Sequence, residues 1–210
     1  MNCVCFFCEE NRFYLNEELS LPGIDSIIYE NDDVYVTPDL FPLCLGHMLI
    51  ITKKHYNSFG NVPYSVYESA EKAKCYLRER IFKSMPFISF EHGAVIEHSG
   101  GSCIDHAHIH VMPFAEDLKI VIESSDFIDT YAVEASYKSL KHFADQGIPY
   151  IYYQRNSEQP IAYPIFNGLP SQFFRMLIAQ KLKINYNWKI SYRAGSAKEL
   201  FNKSIIFGKG

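Results

Sequence analysis

The stretch GGSCIDHAHIHVMPF, residues 100–114, places three histidines in five positions of a chain that has eight in 210 residues. A β-strand accounts for such alternation directly. Successive strand side chains face opposite sides, and residues two apart stand about 6.6–6.8 Å apart on one face. His106, His108 and His110 then share one side, while Ala107, Ile109 and Val111 face a core. A titratable row is laid along one strand.

The rest of the chain has to supply that core. A hydrophobic fraction of 48% with 15% aromatic residues is enough for one. The length suits one domain, or one domain with a large extension. Net charge is -4, and nothing in that balance points to bulk nucleic-acid binding, which favours basic chains. A small anionic ligand therefore needs local positive charge or aligned backbone donors. No run approaches 18 apolar residues, so no transmembrane helix is expected. The opening MNCVCFFCEENRF has no basic n-region and no long apolar run, unlike a signal peptide. A cytoplasmic location is the expectation, and the six cysteines are then reduced thiols or metal ligands rather than a disulfide framework.

SIIYENDDVYVTPDL reads as two short strands around Asn31-Asp32-Asp33, and Met48 to Thr52 as a buried strand. Val66, Ala70, Ala73, Leu77 and Ile81 step by four, three, four and four, one apolar stripe of a helix. Asn61 is its expected cap, Pro63 suits its first turn and Pro86 stops it. FISFEHGAVI and SCIDHAHIHVM read as two more strands. The first ~114 residues are thus β-β-β-α-β-β, too compact for parallel crossovers. Further on, TYAVEASYKSLKHFADQG reads as a helix closed by Gly147, and PYIYYQRN with QPIAYPIF as a hairpin. PSQFFRMLIAQKL reads as a helix capped by Ser171. The last ~25 residues are polar and weakly patterned. The expected class is α+β: an antiparallel sheet of about five strands with one main helix over residues 1–115, then a mixed α/β extension over 116–210.

Imidazole titrates near neutrality and serves as base, acid, nucleophile or metal ligand. Three on one face are compatible with a solvated polar face or with a three-histidine zinc site. One straight strand rarely supplies three tetrahedral ligands, which weighs against the second. Cys5 and Cys8 have the C-x-x-C spacing of a metal knuckle, with Cys3 as an alternative ligand. Cys44, Cys75 and Cys103 lack partner spacing and read as core thiols. His92, His98 and His142 carry no motif.

HAHIHVM resembles the signature of the histidine-triad (HIT) nucleotide hydrolases. PDLFPLCLGHMLIITKKH is similar to the same family's upstream block, with Asp39, His47 and His55 in its marked places. CFFC resembles the knuckle of the zinc-bearing members. The resemblance covers roughly residues 3–114. It implies a nucleotide hydrolase acting at the α-phosphorus through a nucleotidyl-histidine intermediate, with nucleotidyl transfer or non-catalytic nucleotide binding as alternatives. His108 would be the nucleophile. His110, and His47 behind it, would serve the α-phosphate, and His at the third triad position favours hydrolysis over transfer. Asp39 would accept ribose hydroxyls, and Gly101 and Ser102 would meet phosphate oxygens. Cys5, Cys8, His55 and His106 would hold a structural Zn2+. A small nucleotide as partner, no membrane and a homodimer are implied as well. PSQFFRMLIAQKL resembles the Gln-aromatic-x-Arg helix that ends some larger members, which brings Gln172 and Arg175 toward the substrate.

Overall fold

A computed structural model describes residues 5–95, 104–128, 130–186 and 195–210. A 3-10 turn, Glu9–Asn11, leads to the short helix α1 (Tyr14–Glu18), and a second 3-10 turn, Ile24–Ser26, to β1 (Tyr29–Glu30). Then come β2 (Val34–Pro38), β3 (Met48–Thr52), α2 (Tyr64–Tyr76) with a π-helical turn (Leu77–Phe82), β4 (Phe87–Gly93) and β5 (His108–Pro113). The second half holds α3 (Lys119–Glu123), β6 (Val133–Glu134), α4 (Tyr137–Asp145), β7 (Tyr150–Arg155), β8 (Ile161–Pro164), α5 (Phe173–Lys181) and α6 (Gly195–Lys209).

Among the described residues the strands form one eight-stranded sheet, ordered β1-β2-β3-β5-β4-β7-β8-β6. Each neighbouring pair is antiparallel. The expected α+β architecture is present. The sheet is longer than five strands because β7 pairs with β4, so the extension continues the sheet beyond residue 115. The turn between β1 and β2 is an Asx turn, with Asn31 Oδ1 accepting from the N–H of Asp33 and Val34 at 3.1 and 3.0 Å.

One face packs on α2. Val36, Ile50 and Ile109 lie side by side across three strands. They meet the stripe Val66, Ala70, Ala73, Leu77 and Ile81, all buried. The last two of that stripe sit in the π-helical turn. The cap differs from the expected Asn61: Pro63 holds the position with no side-chain cap. Asn61 is spent locally, its Oδ1 accepting from Ser58 Oγ at 2.7 Å.

The opposite face is covered at β4, β7 and β8 by α5, through Phe173, Phe174 and Ile178 against Phe90, Ile151, Tyr153 and Tyr163. Two helix starts in this half differ from the sequence expectation. α4 begins at Tyr137 because Ser136 and Ser139 cap it reciprocally; Val133 and Glu134, which read as helix, instead pair with β8. The residue before α5 is Gln172, in a left-handed conformation at φ 66°, rather than Ser171. The weakly patterned tail forms α6, which buries Phe201 and Ser204. It closes on the turn before β3: Gly46 has φ +79°, its N–H donates to Ser204 Oγ at 3.0 Å, and a Cβ there would stand 2.6 Å from the Phe207 ring. That close approach requires glycine. Among the described residues, no helix is long and apolar enough to cross a membrane.

Candidate functional site

The three histidines do not share one environment. The regular strand begins at His108, so His106 lies just outside it. There the Ala107 N–H donates to the Tyr56 carbonyl at 2.6 Å, and the Thr52 N–H to the Ala107 carbonyl at 3.2 Å. His106 Nε2 lies 2.7 Å from the Thr52 carbonyl oxygen. A carbonyl only accepts, so Nε2 carries the proton and Nδ1 keeps its lone pair. That lone pair faces Cys5 Sγ at 3.2 Å and Cys8 Sγ at 3.8 Å.

His55 Nδ1 lies 3.6 Å from Cys8 Sγ. The four donor atoms of Cys5, Cys8, His55 and His106 all lie within 4.8 Å of one another and could hold a metal ion. Bond lengths of about 2.3 Å to sulfur and 2.0–2.1 Å to nitrogen, at a tetrahedral angle, separate S from N by about 3.6 Å. The three observed separations bracket that value. Burial, with Cys5 beside it, pushes the Cys8 thiol up to about 12. Burial also lowers His106 to about 4, keeping the ring neutral. The knuckle is tied to the sheet by Tyr35, whose hydroxyl donates to the Phe7 carbonyl at 3.0 Å.

His108 and His110 face the other cluster. His108 Nδ1 lies 2.6 Å from the His106 carbonyl oxygen. Nδ1 therefore carries the proton, and the Nε2 lone pair is left for chemistry. His108 is partly exposed, whereas His106, His110 and His47 are buried. Burial lowers the His108 pKa, against the hydrogen bond to the His106 carbonyl, which raises it.

Behind it runs a relay with a fixed direction. The Leu43 N–H donates to His47 Nδ1 at 3.2 Å, so a neutral His47 carries its proton on Nε2. That nitrogen lies 3.0 Å from His110 Nδ1. His110 Nδ1 accepts, and its proton sits on Nε2, available as a donor. Burial keeps His47 neutral, lowered to about 4, and His110 well below its ordinary value. Phe90 stacks on the His110 ring at 4.6 Å.

Asp39 closes this group. Its Oδ2 lies 3.6 Å from His47 Nε2 and 3.5 Å from His110 Nδ1. Its Oδ1 accepts the Phe41 N–H at 2.7 Å. Burial alone would raise the Asp39 carboxyl, but the Arg175 guanidinium holds it well below the usual range. Arg175 Nη1 donates to Asp39 Oδ2, and Nη2 to the Phe41 carbonyl. The sequence singled out Arg175 only through the helix motif; no local pattern pairs it with a residue 136 positions away. His92 carries no motif in the sequence. The register Phe90↔His110 puts His92, two residues on, along the His108 side of the same face. His92 is buried, its ring 5.3 Å from Phe174. The signal was the Phe90-x-His92 alternation beside the histidine strand. Gly101 and Ser102 lie outside the described residues, as do Cys3, His98, Gly100 and Cys103.

On this face a narrow cleft flanks the histidines, lined in part by Phe6, Phe7, Tyr35, Leu40, Leu49 and Ile51. Tyr35 pairs with Ile51 and Ile51 with His108, so the cleft lies in register with the partly exposed imidazole.

Residues 24–117 match the HIT domain family model. An uncharacterized HIT-like protein of Methanocaldococcus jannaschii is 24% identical over 116 residues, covering 52% of this chain and 78% of that protein. CWF19-like protein 1 of Xenopus laevis is 22% identical, with 96% of this chain aligned to 37% of that protein. A solved histidine triad nucleotide-binding protein from Sulfolobus tokodaii is 22% identical over 68% of this chain and 91% of its own, with a TM-score of 0.40.

Proposed function

We propose, from the premise that this is a HIT-family chain with its HIT domain at residues 24–117, that it hydrolyses a nucleotide at the α-phosphorus. His108 Nε2 attacks phosphorus and forms a P–N bond. The bond to the leaving group breaks, and the leaving group departs with its electron pair and takes up a proton. Water then attacks the same phosphorus, the P–N bond breaks, and a nucleoside monophosphate is released. One difficult displacement becomes two easier ones.

The observation that carries this reading is the pairing of exposure and tautomer at His108. It is partly exposed, and its Nδ1 is committed to the His106 carbonyl, so the nitrogen that can meet a ligand is the unprotonated one. His110 supports it as an Nε2–H donor aimed at charge developing on phosphate, with His47 fixing that orientation. Asp39 suits ribose hydroxyls once its carboxylate is released. Gly101 and Ser102 belong to this reading as phosphate contacts.

Zn2+ at Cys5, Cys8, His55 and His106 would be structural, a closed two-thiolate, two-imidazole site that ties the N-terminal knuckle to the sheet. The Thr52 carbonyl, accepting from His106 Nε2, would hold that ring with Nδ1 toward the thiols.

The test is an assay with an adenosine phosphoramidate and a dinucleoside polyphosphate, stopped with acid-free denaturant and examined by intact mass. A nucleotidyl adduct on wild type, absent in His108→Ala, supports the reading. Turnover with no adduct and an active His108→Ala variant overturns it.

A further inference from the structure

A guanidinium buried beside two buried imidazoles calls for a reason. Arg175 is 5% exposed, and Asp39 likewise 5%. Replacing a buried ion pair by apolar side chains is commonly neutral or stabilising, so such a pair is weak evidence for a stabilising role. Its place in the molecule says more. Asp39 Oδ2, which Arg175 holds, is the atom that also lies 3.5 Å from His110 and 3.6 Å from His47. Arg175 also weighs against protonation of His47, His92 and His108.

The charges around His108 balance in this state. His47, His92 and His110 are neutral by burial, Asp39 is an anion, and Arg175 is the permanent cation that cancels it. An entering phosphate upsets that balance. It brings at least one negative charge to a pocket whose imidazoles cannot readily take protons. A planar guanidinium is suited to phosphate oxygens as much as to carboxylate oxygens.

Its delivery is also built. Arg175 Nε donates to the Tyr186 hydroxyl at 2.8 Å, and that hydroxyl donates to Gln172 Oε1 at 2.8 Å. Phe174, the preceding residue, stacks on Phe90 at 4.6 Å, and Phe90 stacks on His110. The first turn of α5 is thus registered against the histidine strand by its neighbouring side chain.

We infer that Arg175, supplied by the C-terminal extension, is the cation of the phosphate subsite, held on Asp39 when no phosphate is bound and transferred to a phosphate oxygen when a nucleotide enters. This rests on the nucleotide reading above. The exchange has a second consequence: as the guanidinium leaves Oδ2, the carboxylate is freed to accept ribose hydroxyls. Nucleoside and phosphate recognition are then coupled through one oxygen atom.

The experiment compares calorimetric affinity for AMP and for adenosine in wild type, Arg175→Gln and Arg175→Lys, each checked by thermal melting. In Arg175→Gln, AMP should weaken by about 30-fold, the worth of a charge-assisted contact. Adenosine should bind as before or more tightly, since Asp39 is already free. Arg175→Lys keeps a cation for Asp39 and serves if the Gln variant unfolds. It should weaken AMP by about 3–10-fold, having lost the fork, and leave adenosine unchanged. AMP and adenosine weakened alike would make Arg175 a clamp on Asp39 and overturn the inference; so would AMP affinity unchanged in both variants. A wild type that binds neither ligand overturns the nucleotide reading, and this inference with it.

Discussion

His106 and His108 are two residues apart and yet sit in different surroundings. At His106 the Thr52 carbonyl takes the Nε2 proton and Nδ1 faces two thiols. At His108 the His106 carbonyl takes the Nδ1 proton and leaves Nε2 bare. Both rings are neutral by burial, yet they present opposite nitrogens. A backbone carbonyl decides in each case, and which carbonyl is reachable depends on whether the residue lies inside the strand or just before it. Residue type therefore says little about an imidazole's role until the partner of its far nitrogen is known.

The sharpest way to break this division is at His108. His108→Ala should cut turnover by on the order of 10⁴ or more while metal content stays unchanged. Equal metal loss in that variant would merge the two clusters into one. Cys5→Ser tests the other side. It should release the metal and lower the thermal midpoint by about 10 °C, a loss of about 4 kcal/mol. Adduct formation should persist in the fraction that stays folded. His110→Ala removes one donor to developing charge and should cost about 10²–10³ in turnover, again with the metal retained.

The smallest effect is on pH dependence. His47 is held at about 4 in the fold against 6.5 for an ordinary histidine. Above 6.5 neither state is protonated and its contribution is whole. As pH falls toward 4, the unfolded chain takes a proton that the fold refuses, so stability is lost. By pH 5 the loss from His47 is about 2 kcal/mol. In His47→Gln, denaturant unfolding at pH 7.5 and pH 5 should differ by that much less than in wild type. An unchanged difference would place the acid sensitivity in the other buried histidines.

The parts that sequence revealed are those with a local period. Val66, Ala70, Ala73, Leu77 and Ile81 repeat at helical spacing, and all five are buried where the stripe predicts. Ala107, Ile109 and Val111 alternate, and all three are buried against α2. The four metal-cluster residues are brought together as the family resemblance implied. What stayed hidden is set by partners distant in sequence. Arg175 meets Asp39 across 136 positions, and neither neighbourhood carries a mark of the other. α6 looked unpatterned because it fully buries only a few side chains, Phe201 and Ser204 among them, while Ile205 and Phe207 are only partly buried against the α2-side core. Val133 and Glu134 form a strand because an edge at β8 was available, a fact about the sheet and not about those residues.

The contact between Gly46 and Ser204 spans 158 positions. Chains emerge from the ribosome N-terminus first, and contacts so distant in sequence close late and slow folding. The turn that carries His47 therefore cannot acquire its last partner until synthesis has passed residue 204. Pulse-labelled chains should show protection of β2 and β3 before the Gly46 amide is protected. A nascent chain halted near residue 115 would display the histidine strand and its motif in full, with the turn behind it still open.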